Sequence, residues 1–314
     1  TSRTNFLFSM MCGLIKVLLL LVCVSVVLTA PVKVSQCPKK CTCQLSGTFV
    51  QCPGKVTRKD WERIGAEISE NAIQLEVDFL DFEYVQVHCF KKLKTLTNLR
   101  ILGGRVVLFP TGLSDKFPAL KIITFINNKI RHLTPSIFEG LEEILNLDLA
   151  GNTLKRISKN VFKGLSKLKL LNLERNQIEC LDNDAFDGLS GLGLLSLNNN
   201  RLTMLPDGLF KSFKEAPLFL LFANNRITRL QKNLFQPFLK ISAFNVSNNN
   251  ISEIETGAFD NLLPFPGFGI DLSHNPILCN AQSNPTDFSM GSIRVTGTCG
   301  STPVLPFQIR RIVE

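Results

Sequence analysis

Apolar and polar residues alternate in short segments through the middle of the chain. In residues 170–176, LLNLERN, the alternation places Leu171 and Leu173 on one side and Asn172 on the other. This is the period of a β-strand that buries one face. The stretches between such segments, for example residues 182–189, DNDAFDGL, predict short helices or turns.

The strand-like segments recur at a nearly constant interval. Successive segments carry an asparagine at the same place, at spacings of 24, 24, 24, 25, 24 and 26 residues. The shared pattern L-x-x-L-x-L-x-x-N-x-L resembles the leucine-rich repeat. Two degenerate units precede these, with Gly104 and Leu80 at the asparagine position, so we predict about nine repeats. The asparagines are Asn128, Asn152, Asn176, Asn200, Asn225, Asn249 and Asn275.

This resemblance implies an α/β fold, a curved leucine-rich repeat solenoid or horseshoe. A parallel β-sheet would form its concave face, and disulfide-bonded caps would cover its ends. Each asparagine is expected to turn the chain out of its strand, with its side-chain amide bonded to backbone groups that the bend leaves unpaired. Because no unit can bury its apolar side alone, each repeat must be stabilised by its neighbours.

The amino end has the layout of a secretory signal peptide. Lys16 precedes an apolar run over residues 17–28, which is followed by Thr29, Ala30 and Pro31. The run is too short to predict a membrane span. Because Pro31 disfavours a cut directly after Ala30, cleavage is expected anywhere between residues 25 and 36.

We predict a secreted, extracellular protein with one repeat domain between two caps. No second apolar stretch long enough to span a bilayer follows, and the tail carries no lipidation or anchor signal. The predicted segments are an upstream remnant at 1–10, a signal peptide at 11–30, an N-terminal cysteine cap and lead-in at 37–71, repeats at 72–278, a C-terminal cysteine cap at 279–300, and a tail at 301–314.

Six cysteines flank the repeats. Four lie before the first unit and two after the last, at tight spacing and with no histidine nearby, which indicates disulfides rather than zinc in a secreted chain. The first group allows three connectivities. The six residues are Cys37, Cys41, Cys43, Cys52, Cys279 and Cys299.

With these caps the chain resembles extracellular leucine-rich repeat proteins with cysteine-rich ends. That group includes small leucine-rich proteoglycans, Slit, and the variable lymphocyte receptors of lampreys and hagfish. The resemblance covers roughly residues 37–299. It implies that the first cap pairs Cys37 with Cys43 and Cys41 with Cys52.

The far cap departs from the commonest family form, which begins with a C-x-C. Ala281 stands where the second cysteine would fall, so Cys279 to Cys299 is the one bridge left. A weaker resemblance is to arthropod secreted proteins similar to the non-catalytic subunit of shrimp luciferase. It rests on the degenerate region after the first cap and on the closing segment DLSHNPILC.

Two further cysteines differ in their place within the repeat. Cys89 lies at the same offset from Leu80 as Ala185 does from its asparagine, which predicts a core thiol standing in for a small apolar residue. Cys180 lies in a mostly polar column, so we expect an exposed, unpaired thiol. Arg156, one repeat away, would favour its thiolate. Cys180 is a candidate for linking two chains as a disulfide dimer, and an incidental free cysteine is the alternative.

Outward strand positions form the candidate binding surface. Apolar residues cluster twice there, and contiguous apolar groups rimmed by polar ones indicate a protein contact. The alternative is that adjoining loops cover part of the strand-start column. The candidate ligand-binding residues are Leu102, Ile122, Ile126, Leu170, Glu174, Leu194, Phe219 and Leu221.

Charge is distributed unevenly. The chain has 35 Lys and Arg against 26 Asp and Glu, a formal net charge of +9 that favours acidic partners, or reflects a generally cationic surface. The concave face has the opposite sign, through Glu76, Asp78, Asp148, Glu174 and Asp271.

A basic cluster lies on adjacent repeats beyond the strands. It is a candidate site for a sulfated polysaccharide, with solvated surface lysines as the alternative; nucleic acid is not expected outside the cell. The candidate polyanion residues are Arg131, His132, Lys155, Arg156, Lys159, Lys163, Lys167 and Lys169.

Two glycosylation sequons occur, at Asn245 and Asn250, whereas Pro285 blocks the one at Asn284. A glycan on Asn245 would close off that part of the concave face and shift binding toward the earlier repeats.

No catalytic, cofactor or metal site is predicted. His88, His132 and His274 fall in separate repeats, and no nucleophile elbow, zinc-protease or phosphate-loop motif is present. Asp271, Ser273 and His274 lie too close along one strand to converge on a proton relay.

The sequence therefore predicts a secreted, non-enzymatic recognition or adhesion module that binds an extracellular protein through its concave face. The alternatives are a non-catalytic carrier or stabilising subunit of a secreted enzyme, and a matrix protein that binds sulfated glycans.

Overall fold

The computed structural model describes residues 37–214, 218–235, 239–255, 257–259, 262–277, 294–296, 298–299 and 302–303. Several predicted features lie outside the described residues: the remnant, the signal peptide, Cys279, Asn284 and the tail apart from residues 302–303. The predicted Cys279 to Cys299 bridge is therefore not described.

One twelve-stranded sheet dominates the described chain. Its first two strands are antiparallel and all later neighbours are parallel. Nine of its strands come from the repeats, which confirms the predicted leucine-rich repeat solenoid and repeat number. The strands, in order across the sheet, are Thr42–Gln44, Phe49–Val56, Gln74–Leu80, Asn98–Leu102, Ile122–Ile126, Asn146–Asp148, Leu170–Asn172, Leu194–Ser196, Phe219–Leu221, Leu239–Asn245, Leu262–Asp271 and Arg294–Thr296.

Shorter elements complete the described fold. The outer segments of the later repeats are turns. Three two-stranded sheets lie beside the main one: Arg156–Ile157 with Cys180–Leu181, Arg229–Leu230 with Glu253–Ile254, and Thr298–Cys299 with Thr302–Pro303. The helices are α1 (Arg58–Glu67), α2 (Leu113–Lys116) and two 3-10 turns, Leu45–Gly47 and Val87–Cys89.

The N-terminal cap closes the solenoid with two disulfides and helix α1. The bridges join Cys37 to Cys43 and Cys41 to Cys52, as the family resemblance implied. A capping box between Thr57 and Asp60 starts α1. The helix buries Trp61, whose indole N–H donates to the carbonyl of Gln86 at 2.9 Å.

The repeat asparagines form a buried ladder. Each Nδ2 donates to a carbonyl of its own repeat and to one of the repeat before; Asn176 reaches the carbonyls of Leu173 and Leu149 at 3.1 and 3.0 Å. Its Oδ1 accepts the N–H of Leu154 at 3.0 Å. These bonds satisfy backbone groups that water cannot reach, so each asparagine fastens two repeats together.

The first repeat asparagine makes only half of this arrangement. Asn128 donates to the carbonyls of Ile101 and Ile126, but its buried Oδ1 finds no donor among the described residues. The preceding degenerate unit has Gly104, with a left-handed φ of 129°, in place of an asparagine. The ladder therefore ends where the repeat pattern degenerates.

A column of phenylalanines fills the other side of the core. Their rings contact one another along the stack, for example Phe138 with Phe162 at 5.9 Å and Phe162 with Phe186 at 6.2 Å between centroids. Phe213 connects Phe186 to Phe210. The column continues from repeat to repeat through Phe138, Phe162, Phe186, Phe210, Phe235 and Phe259, each at most 4% exposed.

The residue before each ladder asparagine has a left-handed backbone in the described repeats from Gly103 onward. Glycine or asparagine occupies most of these positions because both accept a positive φ cheaply. Arg175, at φ 53°, and His274, at φ 57°, are the exceptions.

Arg175→Asn is expected to be more stable than Arg175→Ala by about 1 kcal/mol, because asparagine relieves the left-handed strain and alanine does not. Both changes remove the exposed ion pair with Glu174, so its small contribution cancels. Urea unfolding followed by circular dichroism measures the difference. Equal stability of the two variants would contradict the assignment of strain.

Candidate functional site

Three apolar side chains stand in register on neighbouring strands. Leu170 pairs with Leu194, and Leu194 pairs with Phe219, in the column that starts each strand. At the strand spacing of about 4.8 Å they span about 10 Å of the sheet. Phe219 is 40% exposed, and Leu170, Leu194 and the nearby Leu221 are half-buried. We call Leu170, Leu194, Phe219 and Leu221 the apolar patch.

The other predicted apolar cluster is separate from this patch. Leu102 pairs with Ile126, and Ile122 lies on the same strand as Ile126. All three are half-buried. Ile122 pairs on its far side with Asn146, which stands between it and Leu170 in the strand-start column. Sequence reasoning missed Leu145, 36% exposed, which directly precedes Asn146.

Ser196 lies in the central outward column, opposite Asn172 and Leu221. The residue is only 4% exposed. Its Oγ has no hydrogen-bond partner among the described residues. A buried hydroxyl without a partner is costly, so Ser196 is an unsatisfied polar group beneath the surface of the face.

Carboxylates border the patch on the side of the earlier repeats. Asp148 is half-buried, and its Oδ1 accepts the N–H of Ala150 at 3.0 Å. Glu174 accepts a bond from Asn199 at 3.2 Å and pairs with Arg175 at 3.3 Å. Both stand on outward positions of the sheet.

The basic cluster predicted from sequence is distributed around the repeat rather than gathered at one place. Arg131, His132, Lys155 and Arg156 lie three and four residues after Asn128 and Asn152 of two successive repeats, whereas the rest follow later in one repeat. All eight side chains are exposed. The later members are Lys159, Lys163, Lys167 and Lys169.

Two of these cations are already paired. Arg156 binds Asp182, and Lys167 binds Glu143. Desolvation by burial raises the pKa of Asp182, but bonds from the Lys159 N–H and the Arg156 guanidinium outweigh it, so the pKa is lowered. The cluster thus offers less free positive charge than its residue count indicates.

Cys180 is exposed and free, and it pairs in a short strand with Arg156. The guanidinium of Arg156 binds the carboxylate of Asp182, which accepts it more strongly than a thiol can. Arg156 and Cys180 are neighbours as the repeat register predicts, and the activation of the thiol by Arg156 stays a prediction.

Cys89, predicted to be a core thiol, is half-buried and packs against the core. It lies in a 3-10 turn, which leaves it against the edge of the core with its Sγ donating to the carbonyl of Gln86 at 3.0 Å. Burial raises the pKa of the Cys89 thiol to about 11.

In the monomeric protein, where Cys180 is a free exposed thiol, we expect iodoacetamide at pH 8 to modify Cys180 and to spare Cys89. Only on the order of one Cys89 thiol in a thousand is ionised at that pH, and the thiolate is the nucleophile. Raising the pH toward 11 should bring in Cys89. Peptide mass spectrometry reads each site separately, and equal labelling of both at pH 8 would contradict the burial of Cys89.

The two sequon asparagines differ in exposure. Asn245 is half-buried on its strand, and its Oδ1 accepts bonds from the N–H and hydroxyl of Ser247 at 2.9 and 2.7 Å. Asn250 is exposed just beyond the turn. The side chain of Asn250 is the more accessible of the two.

The described residues hold no group of three or more His, Cys, Asp and Glu placed to bind a metal ion. Asp271 accepts the N–H of Ser273, and His274 points to solvent. No helix in the described part of the chain has the length and apolar character needed to cross a bilayer.

The comparisons with known proteins agree with this geometry. The family described as Leucine rich repeat matches residues 143–202. The chain is a leucine-rich repeat solenoid. A comparison with curated protein sequences finds no match.

One similar solved structure is described as the Toll–Spatzle complex, a molecular hub in Drosophila development and innate immunity. It has a TM-score of 0.58 and 17% sequence identity, and covers 78% of this chain and 37% of that chain. At that identity the likeness establishes the fold alone. This leucine-rich repeat chain spans little more than a third of the length of the chain it matches.

Proposed function

We propose that this protein is a secreted, non-enzymatic recognition or adhesion module that binds an extracellular protein through its concave face. The observation that carries the proposal is the apolar patch, in which Phe219 remains 40% exposed on a strand of the sheet. Contiguous apolar groups at solvent-facing positions lower the free energy when a partner covers them.

Two further observations support a protein ligand. The parallel sheet already holds the patch residues at regular spacing. Little conformational freedom is therefore lost on binding, which keeps the entropic cost low. The similar solved structure is described as a complex, that of Toll with Spatzle. Secretion is supported by the N-terminal cap disulfides, which form in oxidising compartments.

The test is affinity capture from extracellular fluid of the source tissue with wild type, Phe219→Ser and Met204→Ser. Met204 is 49% exposed but lies off the concave face, so it is the matched control. We expect the wild type and the Met204 variant to retain the same partner and the Phe219 variant to lose it. Equal retention by all three would refute recognition through the patch.

The identity of the retained partner separates the carrier alternative from recognition. A stoichiometric secreted enzyme would mark the chain as a carrier or stabilising subunit, and a cell-surface receptor would mark it as a recognition module. Both outcomes are measured with the same three proteins, the wild type and its two variants.

Sulfated-glycan binding is the second candidate function, favoured by the exposed basic residues Arg131 and Lys155, which occupy the same place in successive repeats. Neutralising Arg131 and Lys155 to Gln should lower the salt concentration that elutes the protein from heparin, because the attraction is electrostatic. Unchanged elution would exclude these two residues as the glycan site.

We further propose that Asn250 carries the principal glycan and that Cys180 links two chains. Peptide:N-glycosidase treatment of wild type and Asn250→Gln tests the first, since an equal mobility shift for both would place the glycan elsewhere. Non-reducing electrophoresis of wild type and Cys180→Ser tests the second. Monomers in both lanes would refute the linkage.

A further inference from the structure

The concave face and the whole chain carry charge of opposite sign. Each repeat has three outward positions, equivalent to Leu170, Asn172 and Glu174, which form three columns of 27 residues across the nine described repeat strands. One of the 27 is basic, Arg100, and its Nε lies 3.3 Å from Glu76. The columns hold four further carboxylates, of which Glu174 also pairs with Arg175 in the adjoining turn. They are Asp78, Asp148, Glu174 and Asp271.

The lysine nearest to the patch in sequence does not reverse this sign. Lys169 directly precedes Leu170, but its ammonium nitrogen lies beside Gly191, on the segment that leads into the next strand. The remaining basic residues of the predicted cluster lie outside the three columns. At a Debye length of about 10 Å in 0.1 M salt, a ligand on the sheet senses the near carboxylates more strongly than the distant cations.

The patch itself has three kinds of group within two strand steps. Its apolar side chains can be covered by an apolar side chain of a ligand. The buried, unpartnered Ser196 hydroxyl lies in the next column. Asp148 precedes Asn172 and Ser196 in that same column, about 5 and 10 Å away by strand spacing. Asp148 has no basic partner among the described residues.

We propose that the partner presents a positively charged segment whose apolar side chain contacts Leu170, Leu194 and Phe219 while its basic groups pair with Asp148 and Glu174. This inference rests on the function proposed above and names the chemistry of the ligand. It is the reverse of what the net charge of +9 indicates, because local charge and not net charge faces the ligand.

Two matched fluorescent nonapeptides test it. In one, Lys alternates with Leu and Phe; in the other, Glu replaces every Lys. Fluorescence anisotropy in 50 mM NaCl should show the basic peptide binding at least tenfold more tightly than the acidic one. Phe219→Ser should weaken the basic peptide about tenfold.

The carboxylates are tested by the double variant Asp148→Asn with Glu174→Gln. It should weaken binding of the basic peptide about tenfold and flatten its salt dependence. The control, Asp207→Asn with Glu253→Gln, removes the same charge from exposed positions off the face and should leave binding nearly unchanged.

The outcomes separate the two proposals. Tight binding of the acidic peptide that requires Phe219 overturns the charge preference and leaves recognition through the patch intact. Binding of either peptide that is indifferent to Phe219 overturns both. Absence of basic-peptide binding at millimolar concentration, or equal weakening by the two double variants, also overturns the charge preference.

Discussion

Phe186→Ala is expected to lower the free energy of unfolding by about 3–5 kcal/mol, because it empties a fully buried site in the middle of the phenylalanine column. Phe186 contacts Phe162 on one side and Phe213 on the other. Its removal therefore breaks the column between the earlier and later repeats.

The matched control is Phe79→Ala, which removes the same group from a position that is 38% exposed. That variant should lose less than half as much stability. Urea unfolding measured by far-ultraviolet circular dichroism follows the sheet, and fluorescence of the one tryptophan, Trp61, follows the N-terminal end. A Phe186 variant as stable as the Phe79 variant would contradict the role of the column.

Asn176→Ala is expected to lower the free energy of unfolding by about 3 kcal/mol or more. It leaves the carbonyls of Leu149 and Leu173 and the N–H of Leu154 without their buried partner. Each unsatisfied buried group costs about 1–3 kcal/mol.

Two comparisons make this prediction specific to the ladder. Asn183→Ala changes an exposed asparagine of the same repeat and should have little effect. Asn128→Ala should cost less than Asn176→Ala, because the Oδ1 of Asn128 has no donor to lose. Equal losses at Asn128 and Asn176 would show that the acceptor bond contributes nothing.

The solenoid was predictable because stacking needs the same residue at the same place in every repeat. The spacing of the asparagines therefore identified the strands, and alternation identified which leucines face the core. The left-handed position before each asparagine is also marked in the sequence, by pairs such as NN and GN.

The N-terminal cap was only partly predictable. Its disulfides followed from the family resemblance, whereas helix α1 was not predicted. The helix begins with the signal T-R-K-D, a capping box, at Thr57 to Asp60. A single helix outside the repeats has no periodic copy, so sequence spacing gives it no support.

Repeat register fixes which residues are neighbours, but not how their side chains are directed. It placed Cys180 beside Arg156 correctly, yet the guanidinium turns to Asp182. It placed Cys89 in a core column, yet the local 3-10 turn leaves the thiol half-buried. Register likewise placed Ser196 at an outward position, but it does not show that its hydroxyl is buried and has no partner among the described residues.

The most direct test of recognition through the concave face is photo-crosslinking from within the apolar patch. Benzoylphenylalanine would replace Phe219 in one variant and Met204 in the other, and each would be irradiated in extracellular fluid of the source tissue. We predict a crosslinked protein partner from position 219 and none from position 204. Crosslinking from position 204 with none from position 219 would contradict the account.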